Sequence, residues 1–541
     1  MIVRQIGKWI QITQGAAQRE KLRTVPGIRW DALANSWKCP ATPGFFNRIL
    51  EIGSDDDVLD CAELSRLAES RMHARLGKGI SCALPEGVMR TNPRRHQVGA
   101  LGFGRLSDAA MFHMHMSAGK TFVALATCAV RGHQRVLVLC PKAVIRVWSN
   151  EVRKHGPAGM QVAALNEGSV ADRARTTQLM LSRVHGCPVM IVANYEAAWH
   201  EPLSNMILQT PWDCVIFDES SRIKAPGGKA SRFCAMISAR QRLALTGTPM
   251  PHSPLDIYAQ YRALDPGIFG TSFTAFRAKY AVMGGYQNYQ VVGWRNQEDL
   301  KRRMDTIRYE VKAEDLDLPP MEVVDVPVTL GDQARRHYRE LENLFITNVQ
   351  SGAVTASNAL AKLLRLQQVT CGFLPVQGIS GETLRLEEIG TEKREALTEL
   401  LEEAAGEPVV VFCRFKHDLA AVRAAAEALG LRAGELSGSA NDMVRWDAGE
   451  VDVMAVQVQA GGMGIDLTRA RYGIYFSMIF SLGEYDQSLA RLRRTNQTRP
   501  VTIYRLTAEK TVDEKICKAL DAKREVIEAI LQEAFAPAEG E

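Results

Sequence analysis

Val215-Ile216-Phe217-Asp218-Glu219 is a short apolar run that closes on two carboxylates. Three large apolar residues in succession read as a strand buried on both faces, the habit of parallel sheets, and such strands present ligands at their carboxyl ends. An acidic cap on a following helix is the alternative reading of the pair. Upstream, His115-Met116-Ser117-Ala118-Gly119-Lys120-Thr121 supplies a lysine and a hydroxyl at the step into a helix. Backbone N–H groups from Ser117 to Thr121 can wrap phosphates there, with Lys120 on the outer oxygens and Thr121 on a magnesium ion. Asp218 would hold the same ion, and Glu219 would orient an attacking water. Met114 stands where the first glycine of the usual phosphate loop belongs, and taken alone Gly119-Lys120-Thr121 is equally an ordinary helix start. In this order, the two runs read as a nucleoside triphosphate site.

Working outward, Val136–Cys140, Val189–Val192, Val215–Phe217 and Leu243–Leu245 read as one set of buried strands separated by helical periodicity. A second set comprises Val409–Phe412, Val451–Ala455, Tyr472–Phe476 and Val501–Tyr504. The fold class expected is therefore α/β, with two tandem parallel-sheet lobes and a small α+β module before them. In the module, Ile2–Ile6 and Trp9–Ile12 alternate, Trp30-Asp31 and Ser36-Trp37-Lys38 form a strand pair, and residues 55–75 read as a helical connector. The domains expected are 1–90 for the module and connector, 91–270 for lobe 1, 271–375 for helical insertions and the crossing between lobes, and 376–541 for lobe 2. Leu318-Pro319-Pro320 marks the crossing, because each proline restricts its predecessor to extended geometry. Leu360, Leu363, Leu364 and Leu366 repeat at helical spacing, and the stretch 375–390, with Pro375, Gly378 and Gly381, reads as an exposed turn.

Composition bounds the function. At 541 residues the chain exceeds one hydrophobic core, and 46% hydrophobic with 23% charged residues is an ordinary globular balance. No stretch approaches the roughly 18 apolar residues of a membrane span, and the first fifteen residues lack a signal-peptide core. An intracellular protein with no membrane partner is expected. The eleven cysteines form no C-x-x-C pair, and Cys140, Cys214 and Cys413 read as small buried hydrophobes. His113 and His115 have no further ligands nearby, which favours packing over metal binding. A net charge of +5 permits nucleic-acid binding without requiring it.

Further pieces follow in fixed order: Gln97 in Arg94-Arg95-His96-Gln97, Cys140-Pro141-Lys142 with Trp148, Asn194-Tyr195-Glu196, and Asp218-Glu219-Ser220-Ser221-Arg222-Ile223-Lys224. Thr246-Gly247-Thr248-Pro249 and Leu264-Asp265-Pro266 come next. The second lobe carries Gln459-Ala460-Gly461-Gly462-Met463-Gly464-Ile465-Asp466-Leu467 and Gln487-Ser488-Leu489-Ala490-Arg491-Leu492-Arg493-Arg494-Thr495-Asn496-Gln497. Over roughly residues 91–520 this series resembles the superfamily-2 helicase-like ATPases, specifically the Swi/Snf-related double-stranded DNA translocases. The resemblance implies two RecA-like lobes, ATP and magnesium as cofactors, duplex or branched DNA as partner, and a monomer, since both halves of the site lie on one chain.

The resemblance also distributes roles, each with a physical reason. Gln97 can hydrogen-bond an adenine edge bidentately. Thr246, Thr248 and Gln487 are implied in coupling ATP to DNA. Gly461, Gly462 and Gly464 allow close backbone approach to a ligand, and Asp466 can accept from the ribose or bridge to the first lobe. Arg491 and Arg494, three apart, read as one face of a helix; a fixed guanidinium fork on the phosphates would accelerate hydrolysis by on the order of a thousandfold or more. A solvated basic face that contacts DNA is the alternative for either arginine. Ser117 stands where the family has glycine and Ser221 where it often has histidine, so coupling is the part most affected. Pro26–Asp31 with Trp37–Pro40 is similar to the HARP-type substrate-recognition modules of annealing-helicase relatives; its tryptophans either stack on unpaired bases or form the module core.

The expected function is ATP-driven movement along duplex DNA, in a bacterial or phage protein. Two alternatives stand beside it: a fork-remodelling, annealing or strand-separating helicase, and a weakly catalytic, ATP-gated DNA-binding or recruitment protein.

Overall fold

The computed structural model describes residues 1–14, 17–54, 56–77, 84–182, 187–251, 253–284, 290–350, 356–377, 383–404, 406–458, 465–495, 497 and 499–532. Met1–Leu316 and Asp317–Val526 form two compact units. Among the described residues no helix is long and apolar enough to cross a membrane.

The first unit opens with a five-stranded sheet of β1 (Ile2–Ile6), β2 (Trp9–Thr13), β3 (Arg29–Asp31), β4 (Ser36–Pro40) and β5 (Val58–Asp60), in the order β3-β4-β2-β1-β5. Alternation places Val3, Ile10, Ile12, Trp37 and Cys39 on the buried side. Phe45, Phe46 and Ile49 of the helix Pro43–Ile52 cover them; Thr42 caps that helix by accepting from Phe45 N. Trp30 pairs with Trp37 across the strands, ring centroids 5.2 Å apart and edge to face. The tryptophans have different fates: Trp37 is 6% exposed and belongs to the core, whereas Trp30, on the edge strand, is 48% exposed. The helical connector begins later than expected, at Ala62, and runs to Leu76.

The main sheet of this unit contains β6 (Ala109–Met114), β7 (Arg135–Cys140), β8 (Gln161–Ala164), β9 (Val189–Asn194), β10 (Trp212–Asp218) and β11 (Ala239–Thr246). A hairpin of β12 (Ala281–Gly284) and β13 (Gln290–Trp294) precedes the last member, β14 (Arg308–Val311). All seven strands are parallel, in the order β14-β6-β11-β10-β7-β9-β8. The apolar runs sit fully buried on this sheet, as strands covered on both faces must.

The second unit carries β15 (Met321–Val328), a hairpin of β16 (Phe373–Gln377) and β17 (Thr383–Glu388), then β18 (Val409–Cys413), β19 (Ala433–Leu436), β20 (Val453–Gln457), β21 (Tyr472–Tyr475) and β22 (Val501–Ala508). Its parallel sheet runs β15-β22-β21-β18-β20-β19. A buried ion pair, Lys393 Nζ to Asp513 Oδ2 at 2.6 Å, joins the helices Glu392–Glu403 and Val512–Gln532, and Thr370 Oγ1 donates to the same carboxylate at 3.1 Å. The exposed turn expected at 375–390 is instead flanked by two paired strands, with Pro375 inside β16; Gly378 and Gly381 lie outside the described residues. The stretch 271–375, read as helical, contributes β14 to the first sheet and β15 to the second, and the division between units falls within it.

Asp265 ties the N-terminal module to the first parallel sheet. Its carboxylate accepts from Gly267 N and from Gly44 N, both at 2.8 Å, and from Arg71 Nη1 at 2.7 Å. Arg71 in turn pairs bidentately with Asp108 at 2.6 and 2.9 Å. The backbones meet so closely that a Cβ on Gly267 would lie 2.1 Å from Phe45 N, so glycine is required there. Burial pushes the Asp265 carboxyl up, but the Arg71 charge and the bonds from Thr42, Arg71 and Gly267 outweigh it and hold the group below its ordinary value.

Arg71→Met would strand the buried Asp265 carboxylate and the part-buried Asp108, and we expect it to cost about 3 kcal/mol in urea denaturation. The stability that ionised Asp265 contributes is fully present above pH ~4 and should drain away as pH falls through its lower folded value. In Arg71→Met that acid dependence should shrink.

Candidate nucleotide site

The carboxyl ends of β6, β11 and β10 lie side by side: Asp218 pairs with Leu245, and Thr246 with His113. Ser117–Thr121, Asp218, Glu219, Thr246 and Thr248 stand at or just after these strand ends, whereas Gln97 comes from the helix Arg95–Leu106 ahead of β6. β10 ends in Asp218, and the chain then breaks sharply, because Glu219 adopts the left-handed region at φ 48° before the short turn Ser220–Ile223. A non-glycine residue held there costs of order 1 kcal/mol or more and commonly marks a functional position.

Asp218 is almost fully buried. Trp148 Nε1 donates to its Oδ2 at 2.8 Å, Glu219 N donates to Oδ1 at 3.0 Å, and Tyr195 Oη donates to its main-chain oxygen at 2.8 Å. Burial raises the Asp218 carboxyl above its ordinary value, against the Trp148 bond and the Lys120 charge. Lys120 is also buried, and its ammonium donates to Met114 O at 3.2 Å. Burial lowers its pKa, while the charges of Glu219 and then Asp218 oppose that shift. A cation and two anions are thus confined where water screens them weakly, a charge set suited to a phosphate and a divalent ion.

The phosphate loop is braced from behind. Gly119 has φ 74°, and a Cβ on it would lie 2.3 Å from Gln97 Nε2, so glycine is needed for both conformation and space. Gln97 Nε2 donates to Ala118 O at 3.0 Å, while its Oε1 accepts from Arg94 N at 2.9 Å. In this structure the Gln97 amide braces the loop from behind. Ser117 N reaches His115 Nδ1 at 3.5 Å, and Thr121 stands half-buried in the first turn of the helix Lys120–Val130. His113 Nδ1 contacts Glu310 at 3.1 Å.

Thr246 ends β11, and its Oγ1 accepts from Thr248 N at 3.1 Å. Gly247 faces the phosphate loop so closely that a Cβ there would meet Met116 Cγ at 2.9 Å. A buried polar chain links this turn to the carboxylates: Ser220 Oγ donates to Gln260 Oε1 at 2.7 Å, and Gln260 Nε2 donates to Pro249 O at 2.6 Å and Asp256 O at 2.9 Å. No motif in the sequence points to Gln260, and Ser220, Trp148 and Tyr195 are left without roles there. The available signal was a glutamine amid apolar neighbours in the helix Ile257–Leu264, since a polar group inside such a face needs a partner.

The remaining expected residues belong to the second unit. Gly464, like Gly461 and Gly462, lies outside the described residues. Asp466 Oδ1 accepts from Thr468 N and Oγ1 at 3.0 and 2.6 Å, and its Oδ2 faces Arg494 Nη1 at 3.3 Å. Arg494 Nη2 donates to Ile465 O at 2.6 Å. Arg491 is buried and Gln487 half-buried in the helix Leu482–Leu492. That helix ends at Leu492, which corrects the placing of both arginines on one helical face. Arg493 is already extended and donates to Pro319 O at 2.6 Å, so Arg494 hangs from the following loop.

Comparison with known proteins gives two family matches. A model described as SNF2-related domain matches residues 65–372, more than half of the chain, and one described as Helicase conserved C-terminal domain matches residues 392–496. The chain is 26% identical over 348 residues to protein p41 of Acyrthosiphon pisum secondary endosymbiont phage 1, covering 60% of this chain and 72% of that one. It is 22% identical over 408 residues to the uncharacterized ATP-dependent helicase MG018 of Mycoplasma genitalium, covering 73% of this chain but only 37% of that protein. A solved structure of the Sulfolobus solfataricus SWI2/SNF2 ATPase core in complex with dsDNA is 23% identical, covering 83% of this chain and 95% of that one, with a TM-score of 0.39.

Lys120→Ala is expected to reduce ATP turnover on the order of a hundredfold or more; near-normal hydrolysis would overturn the site. Trp148→Phe removes a donor that favours ionised Asp218. The acid limb of the pH–rate profile should therefore move to higher pH.

Proposed function

The chain belongs to the SNF2-related family of ATPases, and from that premise we propose that it is a translocase on double-stranded DNA. The observation that carries this reading is the grouping of buried Lys120 and Asp218 with half-buried Glu219 at the strand ends, within a chain matched by the SNF2-related and helicase C-terminal models. Lys120 and the backbone of Ser117–Thr121 bind and orient the triphosphate, and Glu219 positions the attacking water. Thr121 and Asp218 offer the hard oxygen donors that suit magnesium, and a bound ion would neutralise phosphate charge. Asp466, Arg491 and Arg494 of the second unit are the groups we assign to the other half of the site.

Hydrolysis moves the protein if its grip on the phosphate backbone changes with nucleotide state. The link from Ser220 through Gln260 to Pro249 supports such coupling, because a change at the carboxylates reaches the Thr246–Pro249 turn through hydrogen bonds. It also weighs against a merely ATP-gated binding protein, the reading that Ser117 and Ser221 encourage. Contacts to DNA fall mainly on phosphates, with strong salt dependence and little sequence preference. We place the protein inside a bacterial or phage-infected cell, in keeping with its phage relative.

The test is displacement of a third strand from a triplex. We expect ATP-dependent displacement without separation of a simple duplex. Unwinding of a forked duplex, with no triplex displacement, would instead establish a strand-separating helicase.

A further inference from the structure

A cavity of about 420 Å³ lies at the seam between the N-terminal module and the first parallel-sheet region, inside the first unit. One wall is the module, with Arg48 and Glu51 on the helix Pro43–Ile52; the other carries Phe276, Lys279, Tyr280 and Arg303. Its size falls within the range of about 300–1,000 Å³ typical of small-molecule sites.

Charge sets its character. Lys279, Arg302 and Arg303 all reach Asp299, at 2.6, 2.8 and 3.0 Å, and Arg302 and Arg303 approach Glu51 at 3.7 and 3.8 Å. The cavity itself is lined by three cations, Arg48, Lys279 and Arg303, and one carboxylate, Glu51. Arg48 is 9% exposed; its Nη2 donates to Ile268 O at 3.0 Å, but its Nε is buried with no acceptor among the described residues. Burial and the nearby Arg303 push the Arg48 pKa down to about 10, against smaller opposing effects of Tyr280, Glu51 and Asp299. Nearby carboxylates thus leave this buried guanidinium incompletely balanced, and an anion entering the cavity that Arg48 lines would supply the missing charge.

We propose that this seam is a binding site for a phosphate-bearing ligand of mononucleotide size, separate from the ATP site. Arg48 and Arg303 take the phosphate, and Phe276 and Tyr280 supply the apolar side. The phosphate is that of a free nucleotide or of a DNA strand end; the chemistry recognised is the same. Since both walls contribute, occupation also reinforces docking of the module. The site does not depend on the motor reading.

Calorimetric titration of the full chain with dAMP and with inorganic phosphate tests it. Saturable dAMP binding is expected, weakened roughly tenfold or more by Arg48→Gln and by Arg303→Gln but unaffected by Lys120→Ala. Arg303 is part-buried and pairs with Asp299, so thermal unfolding and basal ATP turnover of Arg303→Gln are measured beside its binding; loss of dAMP binding with both retained separates loss of the site from loss of fold. A short single strand with a 5′-phosphate that binds more tightly than its 5′-hydroxyl form, with the difference lost in Arg303→Gln, identifies the strand end as the source. Equal binding of the two strands, with dAMP binding retained, identifies the free nucleotide. No binding of dAMP at millimolar concentration, or binding that falls in Lys120→Ala but not in the arginine variants, overturns the proposal.

Discussion

The confinement of Lys120 with Asp218 and Glu219 at the carboxyl end of a buried strand is the constraint on which this first unit depends. Burial works against both charge signs at once, raising the aspartate and lowering the lysine, and the two groups partly relieve each other. Neighbouring features serve that arrangement. Trp148 and Tyr195 fix the end of β10, Glu219 accepts a strained backbone, and Gln97 supports the loop that delivers Lys120. A triphosphate with its divalent ion would complete a set of charges whose lysine and aspartate are already held out of water.

A second buried charge set performs a different task. Asp265 lies in the Leu264-Asp265-Pro266 run that follows the Thr246–Pro249 turn, and its carboxylate receives both the N-terminal module and Arg71. The module is thereby fixed to the helices leading out of the site, and the cationic cavity lies along the same seam. Residues 1–64 fall outside both family matches, yet their attachment uses a residue inside one of them.

What could be read in advance follows from burial. Runs such as Val136–Cys140 and Val409–Phe412 are covered on both faces and announce themselves by continuous apolar character. Arg308–Val311 and Met321–Val328 escaped notice because each is the edge strand of its sheet, where charged residues interrupt the pattern. Ala109–Met114 escaped because small residues and a histidine disguise a central strand. Lys120, Asp218 and Glu219 stand out in the sequence because a phosphate site would demand these chemistries at fixed places, and the fold brings them to adjoining strand ends. Their supports do not stand out, since Trp148 stands 70 residues from Asp218 and Gln260 stands 40 from Ser220. The end of the Leu482–Leu492 helix was equally hidden, because off-axis acceptors at Pro319 and Ile465 draw out Arg493 and Arg494.

The central claim is that this ATPase couples its buried charge site to duplex DNA. Steady-state ATP hydrolysis by the intact chain, measured with and without double-stranded DNA across a salt titration, tests it most directly. The account predicts a rate that rises on duplex at low salt and loses that stimulation as salt increases. A rate indifferent to duplex at low salt would contradict it.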